Sequence, residues 1–126
     1  MSPRDRLNVA AAGRHVLIIE DEMLIAMEIE QDLADLGFGS ADIADTPARA
    51  LACATRHRPD LITADMRINE GTGLEAVQAI VAALGEVPVI YVTGNTDMLR
   101  GQAVSIVEKP IWPGSIASAC KKAGLV

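Results

Sequence analysis

The sequence has few aromatic residues, no long apolar run and no cluster of basic side chains. One Phe, one Tyr and one Trp stand in a chain that is 50% hydrophobic, so the core must be aliphatic. No apolar run approaches the ~18 residues of a membrane span, which argues against a membrane protein. The formal net charge of −6 argues against a nucleic-acid-binding surface.

Cysteines are also scarce. Cys53 and Cys120 lie far apart in apparent helical segments, without a CxxC pair or the His spacing of a metal cage. We therefore expect reduced, partly buried thiols in a cytoplasmic protein. Residues 1–13 lack the apolar stretch of a signal peptide and are expected to form a flexible leader. Residues 14–126 are enough for a single domain with one core.

What the sequence does contain is a regular alternation of apolar strands and amphipathic helices. Strands are predicted at 16–19, 41–44, 61–64, 87–92 and 103–107. Helices are predicted at 24–36, 47–58, 74–84, 96–102 and 113–123, of which the fourth is short. This alternation predicts a doubly wound α/β fold, in which a five-stranded parallel sheet lies between two layers of helices.

The strand at 61–64 ends in a carboxylate, Asp65, and a glycine-containing loop at 69–73 follows. Ligands bind beyond the carboxyl ends of the strands in open parallel sheets, which makes Asp65 a candidate reactive group. An ordinary loop-capping Asp is the alternative interpretation of this stretch alone.

Polar residues follow the other strands at the same edge of the predicted sheet, and together they form the set Glu20, Asp21, Asp65, Thr93 and Lys109. Three neighbouring carboxylates repel one another unless a cation is bound, and a site of oxygen ligands favours Mg²⁺ over zinc. A hydroxyl and an ammonium group suit an incoming phosphoryl group, which a carboxylate can accept as an acyl phosphate. Each residue alone has a simpler explanation as a cap, a turn or a solvated strand end. The combination favours a phosphoryl-transfer site.

Four segments carry a family resemblance: VLIIEDE at 16–22, LITADMR at 61–67, VIYVTG at 89–94 and EKP at 108–110. Together they resemble the CheY-like receiver domain of bacterial two-component response regulators. The resemblance implies a flavodoxin-like fold with strand order 2-1-3-4-5 and five helices. It also implies a phosphoprotein that is not an enzyme, and that takes a phosphoryl group on Asp65 from a sensor histidine kinase or a histidine phosphotransfer protein.

The resemblance also implies a role for each remaining site residue. Asp21 would bind Mg²⁺ directly, Glu20 would be its companion acid, and the backbone carbonyl of Arg67 would complete the protein ligands. Thr93 would hydrogen-bond the phosphoryl group, and Lys109 would pair with its charge.

Two features depart from the family pattern. Ile106 stands three residues before Lys109, where the family usually has Tyr or Phe, so the usual coupling between the switch Thr and that aromatic residue is in doubt. The interval from Thr93 to Lys109 is short by roughly a helical turn, and the fourth helix must lose that length. We hypothesise that Arg67 and Asn95 set the lifetime of the acyl phosphate; the alternative is that both are loop residues without kinetic effect.

We expect a stand-alone receiver that signals to an unknown downstream protein by phosphorylation-dependent contact. The main alternative is a phosphorylation-independent interaction module, which Ile106 and the short fourth helix favour and the acidic trio opposes. A phosphatase with Asp65 as nucleophile is a third interpretation. Arg67 argues against a phosphatase, because this residue occupies the position where a general acid would be needed. Ile111 and Trp112 either support a homodimer or pack onto the sheet edge.

Overall fold

The computed structural model describes residues 13–101 and 104–126, so most of the expected leader and residues 102–103 of the fourth helix and fifth strand lie outside the described residues. The strands are β1 (His15–Ile19), β2 (Ser40–Ala44), β3 (Leu61–Ala64), β4 (Arg67–Ile68), β5 (Gly71–Thr72), β6 (Val89–Thr93) and β7 (Ser105–Glu108). The helices are α1 (Met23–Asp35), α2 (Pro47–Arg56), α3 (Gly73–Leu84) and α4 (Ser115–Lys122), and a 3₁₀ turn covers Thr96–Leu99.

Five strands form one parallel sheet in the order β2-β1-β3-β6-β7. This is the predicted flavodoxin-like order, with β6 and β7 as its fourth and fifth strands. Successive side chains of β1 point to opposite faces of the sheet. Val16 and Ile18 pack with residues of α1 and α4, whereas Leu17 and Ile19 pack with residues of α2 and α3. The sheet is therefore covered on both faces by an aliphatic core.

Helix starts follow local chemistry. Thr46 begins α2, where its hydroxyl accepts a hydrogen bond from the backbone N–H of Arg49 at 3.1 Å and Pro47 occupies the first turn. Thr72 begins α3 in the same way, with the N–H of Glu75 as donor. Each hydroxyl satisfies one backbone donor that has no partner within its helix.

The prediction of five helices is wrong in number. Four α-helices are described, and the described residues between β6 and β7 form only the 3₁₀ turn. A parallel crossover that carries a full helix needs a dozen or more residues, and this connection is too short for one. The last helix also begins at Ser115 rather than 113, because Gly114 adopts a left-handed conformation with φ +85°.

The two cysteines lie on opposite faces of the sheet. Cys53 on α2 is half-buried, Cys120 on α4 is buried, and neither is in a disulfide. Among the described residues, no helix has the length and apolar character needed to cross a bilayer.

Candidate functional site

The structure brings the five predicted site residues together at the carboxyl edge of the sheet. Backbone hydrogen bonds continue the strand pairing past the strand ends, from Asp65 N to Ile19 O at 2.9 Å and from Lys109 N to Thr93 O at 3.1 Å. The side chains that follow β1, β3, β6 and β7 therefore converge because of the parallel register, not because of a specialised loop.

Lys109 is the cation at the centre of this crevice. Its Nζ donates to Asp65 Oδ2 at 2.9 Å and lies 2.7 Å from Glu20 Oε1 and 3.3 Å from Glu22 Oε2. Burial alone would lower the pKa of Lys109, but the hydrogen bonds and charges of Glu20 and Asp65 outweigh it and raise the pKa above its usual value. The ammonium group is therefore charged at neutral pH.

Glu20 is the most deeply buried acid of the site. Burial raises its pKa from 4.5 to about 7, and the charge of Asp65 acts in the same direction. Lys109 and the backbone N–H of Glu22 oppose this rise. Glu20 Oε2 accepts hydrogen bonds from the backbone N–H groups of Asp21 and Glu22 at 3.1 and 3.2 Å, which fix its orientation.

The carboxylates fit a hard cation. Glu20, Asp21 and Asp65 each offer an oxygen, and these oxygens lie within 4.8 Å of one another. Asp65 Oδ1 is buried and accepts no hydrogen bond from the described residues, whereas Glu20 Oε1 has Lys109 Nζ at 2.7 Å. Buried polar atoms without partners are costly, and a bound cation removes that cost. Oxygen donors are also the ligands that Mg²⁺ takes.

Thr93 is fully buried at the end of β6, and its hydroxyl accepts a hydrogen bond from Asn95 N at 3.0 Å. Arg67 Nε in turn donates to Asn95 Oδ1 at 3.1 Å. The two residues hypothesised to set the lifetime of the acyl phosphate are thus hydrogen-bonded to each other, and this bond is a pairing of Arg67 with Asn95. Its effect on an acyl phosphate stays a prediction.

A short hairpin that was not predicted from the sequence shapes the back of the site. β4 and β5 pair antiparallel through Arg67 with Thr72 and Ile68 with Gly71. The hairpin returns the chain so that α3 starts against Asp65, and a Cβ atom on Gly73 would collide with the Asp65 carbonyl oxygen. The glycine at position 73 was the available signal, but it was read only as part of a loop.

Two further contacts were also missed. Glu22 was not among the predicted site residues, yet its carboxylate contacts Lys109. At the opposite edge of the sheet, His15 Nδ1 lies 2.7 Å from Ser40 Oγ and Nε2 lies 3.0 Å from Asp42 Oδ2, while its ring stacks on His57 with centroids 3.6 Å apart. No local pattern in the sequence predicts either contact.

Comparison with known proteins gives consistent matches. The family model described as response regulator receiver domain matches residues 16–121. The phyllosphere-induced regulator PhyR of Methylorubrum extorquens is 34% identical over 120 residues, which cover 90% of this chain and 45% of that protein. The crystal structure of the response regulator PhyR from Brucella abortus has a TM-score of 0.79 at 32% identity, covering 92% of this chain and 50% of that one. This chain therefore spans about half the length of these two relatives.

A third match bears on the metal. The receiver domain of the sensor histidine kinase PA1611 from Pseudomonas aeruginosa has a TM-score of 0.74 at 27% identity, covering 90% of this chain and 99% of that one. That structure has a magnesium ion coordinated in its active-site cleft.

Proposed function

Since this chain belongs to the response regulator receiver domain family, we propose that it accepts a phosphoryl group on Asp65 in a Mg²⁺-dependent reaction and then signals by protein contact. The family is one of signalling domains of two-component systems, and this chain is a signalling domain and not an enzyme. The phosphoryl donor is a sensor histidine kinase or a histidine phosphotransfer protein.

The arrangement around Asp65 is the observation that carries the proposal. Its carboxylate lies beside a charged lysine and two further acids, and its buried Oδ1 accepts no hydrogen bond from the described part of the chain. A purely structural carboxylate at a strand end would have its oxygens paired with backbone or solvent. An acceptor oxygen held next to a cation is what phosphoryl transfer requires.

The reaction makes one bond and breaks one. An oxygen of Asp65 attacks the phosphorus of a phosphohistidine, the O–P bond of the acyl phosphate forms, and the P–N bond breaks with its electron pair left on the histidine. Lys109 neutralises charge on the transferred group, and the Thr93 hydroxyl donates to one of its oxygens. Glu20, Asp21, Asp65 and the backbone carbonyl of Arg67 would hold Mg²⁺, which when bound supplies charge neutralisation for the transferred oxygens.

Exposed apolar side chains beside the crevice support a protein as phosphoryl donor. Leu24, at the start of α1, is 82% exposed, and Met23 and Met27 on the same helix are also exposed. Trp112, three residues after Lys109, is exposed as well. Grouped apolar side chains on a surface mark contact sites.

The test is the intact mass of the protein after incubation with Mg²⁺ and acetyl phosphate. We expect one added phosphoryl group on the wild-type chain. We expect none on Asp65→Asn, and none on wild-type protein with excess chelator. An adduct of equal yield on Asp65→Asn would contradict the assignment of the acceptor.

A phosphorylation-independent interaction module is the second candidate. It is favoured by the exposed aliphatic Ile106 on β7, where the family usually has a switch aromatic. The two candidate functions predict different effects of phosphorylation on the affinity for a captured binding partner. Binding that is identical for the phosphorylated wild-type chain and for Asp65→Asn would favour the module, whereas a change in affinity on phosphorylation would support the receiver.

A further inference from the structure

Glu22 is the third carboxylate in contact with Lys109, and its surroundings differ from those of the other two. Lys109 Nζ lies 2.7 Å from Glu20, 2.9 Å from Asp65 and 3.3 Å from Glu22. The side chains of Glu20 and Asp65 are 1% and 8% exposed, whereas that of Glu22 is 63% exposed. Glu22 therefore contacts Lys109 from the solvent side of the crevice.

The position of Glu22 at the start of α1 does not explain this contact. Glu22 is the N-cap residue of α1, yet its side chain makes no capping hydrogen bond. Its backbone N–H donates to Glu20 Oε2 at 3.2 Å, which holds the residue next to the site. The carboxylate of Glu22 is directed to Lys109, 87 residues away in sequence, and not to the helix that it precedes.

We propose that Glu22 is a specificity-determining residue, which holds Lys109 in the resting state and slows phosphoryl transfer from small, highly charged donors. This inference rests on the proposed acceptance of a phosphoryl group by Asp65. In transfer from acetyl phosphate, the Asp65 oxygen bonds to phosphorus while the P–O bond to the acetyl group breaks, and acetate leaves with the electron pair. Lys109 must turn to the phosphoryl oxygens in this step, and Glu22 competes for it.

Glu22 also repels the donor directly. Two unit charges about 7 Å apart in water interact strongly enough to change a rate by about two- to threefold, and a dianion doubles that energy, which gives about five- to tenfold. Acetyl phosphate approaches as a dianion at neutral pH and phosphoramidate as a monoanion, so repulsion by Glu22 acts more strongly on acetyl phosphate. Removal of the Glu22 charge should therefore increase the rate with acetyl phosphate relative to the rate with phosphoramidate. A general loosening of the site would not change this ratio.

The test compares Glu22→Gln with Glu28→Gln. Each variant removes one negative charge, Glu22 at the N-cap of α1 and Glu28 in the body of the helix. Glu28 has no contact with Lys109 among the described ion pairs. Phosphorylation is followed by intact mass in Mg²⁺ with each donor. For Glu22→Gln we expect acetyl phosphate to react about five- to tenfold faster and phosphoramidate about two- to threefold faster. Glu28→Gln should stay within about twofold of wild type.

Each other outcome counts against the inference. If the Glu22→Gln chain has an unchanged ratio of the two rates, or slower transfer from both donors, the inference about Glu22 is wrong and the proposed function is not affected. An equal increase in Glu28→Gln assigns the effect to net charge and overturns the inference too. If the wild-type chain and both variants form no adduct with either donor, the proposed function fails and the inference fails with it.

Discussion

At the scale of single residues, Gly73 is the tightest point of packing behind Asp65. We expect Gly73→Ala to lower the free energy of unfolding by about 2 kcal/mol, because the added methyl group must displace α3 or the backbone of Asp65. The same shift should slow phosphorylation. Urea denaturation and the mass assay measure the two effects.

Gly39→Ala is the matched control, since a Cβ there would meet nothing closer than 3.4 Å. It should change stability by less than about 0.5 kcal/mol. A Gly73→Ala chain as stable as wild type would show that α3 does not press on Asp65 as described.

The site residues differ in how far the sequence could predict them. Glu20, Asp65 and Thr93 each follow an apolar strand, so a parallel sheet alone brings them together. Glu22 and Gly73 depend on side-chain direction and on close contact between segments. A sequence pattern records neither, and these two residues were therefore missed.

At the scale of elements, β7 is the edge strand whose two faces differ most in exposure. Val107 is 5% exposed and packs in the core with α4, whereas Ile106 on the opposite face is 39% exposed. We expect Val107→Ala to lower the free energy of unfolding by about 2 kcal/mol. Ile106→Ala should lower it by less than about 1 kcal/mol, although it removes more atoms. Urea denaturation of both variants measures the two losses in free energy of unfolding. A larger loss for Ile106→Ala than for Val107→Ala would contradict the described orientation of β7.

How well an element could be predicted from the sequence depends on its length. The five long strands were predicted because buried runs of β-branched residues have few other interpretations. The hairpin of β4 and β5 was missed, since strands of two residues are too short to show a period of two. The predicted helix at 96–102 was wrong, because the described residues of the short connection between β6 and β7 form one 3₁₀ turn.

At the scale of the whole molecule, the sheet separates the two thiols. Cys53 and Cys120 belong to opposite helix layers, so they cannot form a disulfide within one folded chain. Burial raises the pKa of the Cys120 thiol to about 11, which leaves about one thiolate in a thousand at pH 8. We expect iodoacetamide at pH 8 to label Cys53 at least tenfold faster than Cys120.

Peptide mass mapping of the labelled chain measures the two rates. Labelling in urea is the control, because unfolding exposes both thiols and should bring their rates together. Equal rates in the native protein would mean that Cys120 is not buried between α4 and the sheet.

The short connection between β6 and β7 has a consequence for how such a chain changes over evolutionary time. The proposed chemistry depends on residues at the strand ends, and with this short connection Lys109 N donates to Thr93 O at 3.1 Å. Insertions and deletions at 96–104 can therefore accumulate while phosphoryl transfer is preserved. Selection for a new partner and selection for the proposed reaction would then act on separate stretches of the chain.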